Sequence, residues 1–122
     1  MQREVFEALV VDALEELPQE FRLYLDNVAV VVEPRPSPAL LREMGLWPDG
    51  TLLGLYHGVP LPERGFGDGN RLPDQITIFQ QPIEALYHTP REIKEAVKET
   101  VVHEIGHFFG LDDAQLEELM EE

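Results

Sequence analysis

Apolar positions return every three or four residues over 2–17. Val5, Leu9, Ala13 and Leu17 form one stripe, with Phe6, Val10 and Leu14 beside it, and Glu4, Glu7, Glu15 and Glu16 fall mostly elsewhere. This spacing predicts an amphipathic helix that Pro18 stops. Residues 20–25 add a short turn. Val28–Val32 is apolar and mostly β-branched, which predicts a strand buried on both faces. Pro34, Pro36 and Pro38 then break regularity, so residues 34–50 read as a connection with a helical turn at 38–45. Residues 51–57 read as a second strand. Residues 58–73, rich in Gly and Pro, form a loop of a length that is more often functional than idle. Residues 75–80 alternate as a third strand, with Ile76 and Ile78 on one face and Thr77 and Phe79 on the other.

The next helix carries the clearest start signal in the chain. Thr89 fits the N-cap, Pro90 the first helical position, and Glu92 completes a capping box. Ile93, Val97, Val101, Ile105 and Phe108 then form a stripe that should face the core. His103 and His107 fall on another face, with Thr100 one turn before them. Residues 114–121 predict a short last helix.

That second face holds the chemistry. Residues 103–113 read His-Glu-Ile-Gly-His-Phe-Phe-Gly-Leu-Asp-Asp. Histidines at i and i+4 lie one turn apart, where both imidazoles reach one metal ion. Glu104 occupies the slot from which a carboxylate takes a proton from activated water. Gly110 can end the helix in a left-handed turn, after which the chain doubles back and brings Asp113 to the same ion. The pattern is H-E-x-x-H-x-x-G-x-x-D, the metzincin arrangement with Asp in place of the third His. Two neutral imidazoles and one carboxylate suit a single zinc ion and leave a position open for water, as catalytic sites require. Iron, cobalt or nickel would also fit such ligands. Asp112 competes with Asp113 for the third place, and the offset from His107 selects Asp113. His88 and His57 are the distant candidates for a fourth protein ligand, which would make the site structural. Attack on a carbonyl also calls for a second oxyanion donor. Tyr56, His57, Tyr87 and His88 are the candidates.

Composition narrows the function classes. The 122 residues make one domain, residues 1–122, and 43% hydrophobic residues is ordinary for a globular chain. The absence of cysteine removes disulfides, thiolate zinc sites and cysteine nucleophiles. A formal net charge of −15 makes nucleic acid and anionic membranes poor partners. Glu4, Glu7 and Asp12 interrupt any apolar leader segment, and no apolar run is long enough to span a bilayer, so a cytoplasmic protein is expected. The oligomeric state has no signature in the sequence.

The chain resembles the minimal zincin-like metallopeptidase family of short bacterial proteins. The likeness extends beyond the motif. Residues 53–64, Leu-Gly-Leu-Tyr-His-Gly-Val-Pro-Leu-Pro-Glu-Arg, look like the family's Leu-Tyr-x-Gly-x-Pro-Leu-x-x-Arg segment. Residues 72–79 look like its next strand, and residues 100–110 match its metal helix, so residues 28 to 120 are covered. The resemblance implies a compact α+β fold in which a small mixed sheet of three to four strands packs against the N-terminal helix and the metal helix. It also implies His103, His107 and Asp113 as metal ligands and Glu104 as general base. In zincins an edge strand binds substrate by strand addition, and residues 75–80 are the candidate edge. Tyr56, His57, Arg64 and His88 are candidate substrate contacts, and Arg64 and Arg71 of the 58–73 loop could border the site and meet a peptide carboxylate, or only pair with neighbouring acids. Little follows Asp113 to build the lower wall of a cleft, and Met120 is not positioned as the Met-turn of larger metzincins. The expected function is zinc-dependent peptide hydrolysis. The competing classes are another metal-dependent hydrolase and a non-catalytic metal-binding or interaction protein.

Overall fold

The computed structural model describes residues 1–58 and 74–120, and within them the chain is an α+β fold. Helix α1 (Arg3–Glu15) is followed by a single turn of helix, α2 (Gln19–Arg22), and a 3-10 turn. Strand β1 (Val28–Glu33) comes next, then α3 (Pro38–Glu43) and β2 (Gly54–His57). Strand β3 (Asp74–Phe79) runs directly into α4 (Gln80–Leu86), and α5 (Pro90–Phe109) and α6 (Asp113–Met120) complete the order. Most of the expected 58–73 loop, with Arg64 and Arg71, lies outside the described residues. None of the described helices is long and apolar enough to cross a membrane.

The three described strands form a mixed sheet in the order β1-β3-β2. Strand β1 pairs with β3 in parallel, Val30 opposite Ile76, and β2 pairs with β3 antiparallel, Tyr56 opposite Ile76. This order corrects two expectations. Residues 75–80 are not an edge: β3 is the middle strand, with neighbours on both sides, and Ile76, Thr77, Ile78 and Phe79 are all buried. The Val28–Val32 run is not buried on both faces. It is an outer strand, half-buried along most of its length, with only Val32 fully covered. β-branched residues favour a pleated surface whether or not it is fully covered. The Arg3 guanidinium reaches the β1 backbone and donates to the Val32 carbonyl.

The core lies between the sheet and the two long helices. Phe6, Val10 and Ala13 of α1 meet Val97, Val101 and Ile105 of α5, with Ile76 and Ile78 beneath them. The predicted stripe holds at Ala13 and Leu17, both buried, but its first half is displaced, since Phe6 and Val10 are covered while Val5 is 50% exposed. A face with apolar residues at both 5 and 6 leaves the period ambiguous, and the packing partner decides it. The stripe on α5 matches the prediction as far as Ile105. Phe108 is exposed at the edge and stacks on Tyr56 instead, ring centroids 4.0 Å apart. Helix α4 had no sequence prediction. Pro82 lies in its first turn, where proline is tolerated, so the residue that argues against a helix does no harm here.

An ion-pair cluster joins α1 to α5. Glu16 receives Lys94 at 2.6 Å and Lys98 at 3.0 Å, and these hydrogen bonds hold its carboxyl below the ordinary value of 4.5. A depressed folded-state pKa means that the contribution is present above the unfolded value and is lost as pH falls through the lowered folded value. Glu16→Gln should therefore lower the urea midpoint slightly at neutral pH, and its unfolding curve should converge with the wild type's in acid. The pair is exposed, so added salt should shrink the difference. A gap that widens in acid would contradict this account.

Candidate functional site

Local signals set the helix that carries the motif. The Thr89 hydroxyl accepts the Glu92 N–H at 3.1 Å, and Glu92 Oε1 accepts the Thr89 N–H at 3.1 Å, which completes the predicted capping box. At the other end Gly110 adopts φ 68°, a conformation that a side chain would oppose. The Leu111 N–H then reaches the Gly106 carbonyl at 2.8 Å and the Gly110 N–H the His107 carbonyl at 3.3 Å. This is a Schellman turn, and it ties down the backbone of His107 as the chain reverses.

Beyond the turn, Asp112 caps α6. Its Oδ1 accepts the Gln115 N–H at 2.8 Å, and the Gln115 side chain accepts the Asp112 N–H at 2.9 Å. The Asp-x-x-Gln spacing of this second reciprocal cap was present in the sequence. Asp113, the first residue of α6, is exposed and has no part in the cap. Of the two acids, Asp113 is the one whose carboxylate is not needed to start the helix.

The rings of His103 and His107 lie on one exposed face of α5, centroids 6.4 Å apart. His103 Nε2 is 3.7 Å from Glu99 Oε1. Among the described residues, no three His, Cys, Asp or Glu side chains stand close enough to hold an ion together. The structure thus brings the two histidines together and leaves Asp113 on the far side of a tight turn. Two accessible imidazoles one helical turn apart fit zinc, whose sites draw on neutral nitrogen and carboxylate ligands.

Glu104 points differently from the histidines. It is half-buried, and its Oε1 accepts the backbone N–H of Tyr56 at 3.0 Å, across 48 residues of sequence. The motif carboxylate is therefore fixed to strand β2. That contact depends on a close approach. A Cβ at Gly54 would stand 2.6 Å from Thr100 Cγ2 and 3.0 Å from the Thr77 carbonyl oxygen, between α5 and the sheet. Gly54→Ala should destabilise the fold by about 1–3 kcal/mol through this overpacking, read as a lowered denaturation midpoint. An unchanged midpoint would show that β2 can shift away from α5 at no cost.

A cavity of about 290 Å³ opens beside the motif. One wall is the segment Thr51–Gly54 and the other is a stripe of α5 that ends in His103 and Glu104, with Tyr87 beside them. Sequence reasoning named Tyr87 only as an oxyanion candidate and missed the other wall, because no local pattern announces which loop will lie along a helix.

The other candidate contacts are scattered. The Tyr56 hydroxyl donates to Asp74 at 2.7 Å and its ring stacks on Phe108, so its contribution to the motif is the backbone N–H rather than the phenol. His57 is exposed at the end of β2. His88 is exposed before α5, with its N–H on Glu92, and about 20 Å of helix separates it from His103 at 1.5 Å per residue. Neither histidine lines the cavity, and neither joins the pair as a fourth ligand. Arg64 lies outside the described residues.

Comparisons with known proteins bear on the family and the fold. A family model described as zincin-like metallopeptidase matches residues 25–122. A solved structure of a conserved hypothetical protein from Thermus thermophilus superposes with a TM-score of 0.55 at 24% identity, covering 89% of this chain and 94% of that one. That likeness is one of fold. Among curated proteins, none matches the chain.

Proposed function

The chain belongs to the zincin-like metallopeptidase family, and from that premise we propose that it is a zinc-dependent peptidase in which Glu104 is the general base. The observation that carries this reading is the Glu104 carboxylate, held at one oxygen by the Tyr56 N–H and set next to two accessible histidines. His103 and His107 are the residues that would hold the ion, with Asp113 as the third ligand. A bound zinc ion supplies Lewis-acid chemistry, activating water and drawing charge from a scissile carbonyl.

The chain's own residues supply the rest. Glu104 Oε1 is anchored to β2, which leaves the second oxygen to accept a proton from the attacking water and later deliver it to the leaving nitrogen. Anchoring through a backbone N–H fixes the carboxylate's direction without a competing side chain. Strand β2 is an outer strand of the described sheet and runs past Glu104, so an extended peptide laid along it would bring its carbonyl to the carboxylate. Tyr87, on the cavity wall, is the remaining candidate to stabilise the oxyanion.

The dispersed position of Asp113 favours one second reading, a protein that binds metal through two histidines without hydrolysis. Elemental analysis of the purified protein, followed by a panel of quenched fluorescent peptides with and without added zinc, tests both. One zinc per chain with zinc-dependent cleavage supports the peptidase. Zinc without cleavage of any peptide favours the second reading, and no zinc overturns both.

A further inference from the structure

We propose that the cavity beside the motif is a subsite for a lysine- or arginine-type side chain of the substrate, an inference that rests on the peptidase reading above. The cavity mixes apolar lining, Leu52 and Leu53 on one side and Ala96 on the other, with polar groups, and its acidic groups are Glu99 and Glu104, beside His103. Among the described residues, no lysine or arginine lines it. The cations of this part of α5 are committed elsewhere: Lys94 and Lys98 both pair with Glu16 of the α1 side, and Lys98 also with Glu95. Lys94 and Lys98 of α5 thus lie on the α1 side, while Glu99 and Glu104 line the cavity.

Glu99 is the group that sets the preference. Among the described residues Glu99 pairs with no lysine or arginine, and its carboxylate stands 3.7 Å from the His103 imidazole. A long aliphatic stem fits along the leucine wall while its cationic head meets a carboxylate at the open rim, the usual way in which lysine and arginine divide between apolar surface and water. A volume of about 290 Å³ has room for one such side chain. An acidic side chain would face two carboxylates, a repulsive element that rejects the wrong substrate as well as selecting the right one. The overall charge of −15 attracts cationic peptides in the same sense.

The experiment has two arms. In the first, N-acetyl-lysine amide, N-acetyl-norleucine amide and N-acetyl-glutamate amide are titrated into zinc-free protein and followed by amide chemical shifts. The lysine compound should move the resonances of Leu53, Ala96, Glu99 and Thr100 at lower concentration than norleucine, and the Glu99→Gln variant should remove that advantage. Equal responses to lysine and norleucine, or shifts away from the cavity, overturn the subsite. In the second arm, zinc-loaded protein is offered peptides that differ at one position. Because the carboxylate is exposed, lysine or arginine should be preferred over norleucine in kcat/KM by about fivefold, and Glu99→Gln should bring the ratio near one. Cleavage without a preference overturns the subsite and leaves the peptidase standing. Lysine binding in the cavity with no cleavage of any peptide supports the subsite and overturns the peptidase.

Discussion

Glu104→Gln should retain the wild-type zinc stoichiometry and hydrolyse peptides about 10²- to 10⁴-fold more slowly. Glutamine keeps the shape of the side chain, and its amide oxygen can still accept the Tyr56 N–H that Glu104 Oε1 receives at 3.0 Å. The position of the group is thereby preserved and its basicity removed. This makes the variant cleaner than an alanine, which would also free the N–H of an outer strand. Turnover of a peptide panel and zinc content by elemental analysis are the two readings. An unchanged rate would remove Glu104 from the chemistry. A loss of zinc would make it a ligand instead of a base.

His107→Ala should lose zinc, with affinity reduced at least about 100-fold, since even the outer partners of a metal ligand are worth 10–100-fold. The effect can be read without any substrate. A ligand that binds only the native state stabilises it by about 2.7 kcal/mol at one hundred times its Kd, so zinc should raise the wild-type Tm and leave the variant's unmoved. His107 is exposed, so the metal-free proteins should melt together. A zinc-dependent rise in the variant would place the ion elsewhere. Two further variants resolve the acids. Asp113→Asn should weaken zinc binding and spare metal-free stability. Asp112→Ala should cost about 1 kcal/mol as a lost helix cap and act on zinc only indirectly.

What the sequence disclosed was local. The capping box at Thr89 and the left-handed exit at Gly110 each depend on residues within one turn, and both formed where the spacing placed them. The histidine pair likewise needs only a helix. The remainder depends on which segments meet. Alternation over 75–80 announced a strand but not its neighbours, and β3 lies in the middle, not at the edge that the resemblance suggested, because β1 and β2 come to it from both sides. The anchor of Glu104 is a backbone amide, which no residue type advertises. The placement of Phe108 was misjudged for a related reason: its partner, Tyr56, comes from a strand half the chain away. The role of Asp112 was the one local signal overlooked, since Asp-x-x-Gln is itself a capping pattern.

The parallel pairing of Val28 with Asp74 has a consequence for how the chain is made. Both outer strands leave the ribosome before the strand that joins them. A nascent chain that has reached residue 58 carries β1 and β2 with no common neighbour, each exposing a row of unpaired amides and carbonyls. Pairing then waits for closure of a segment 46 residues in span, from Val28 to Asp74, and contacts of that separation form slowly. Helix α5, the second of the two that enclose the core, follows later still. Fragments that stop short of β3 should therefore aggregate rather than fold, and during synthesis the first half of the chain is the part most in need of a chaperone.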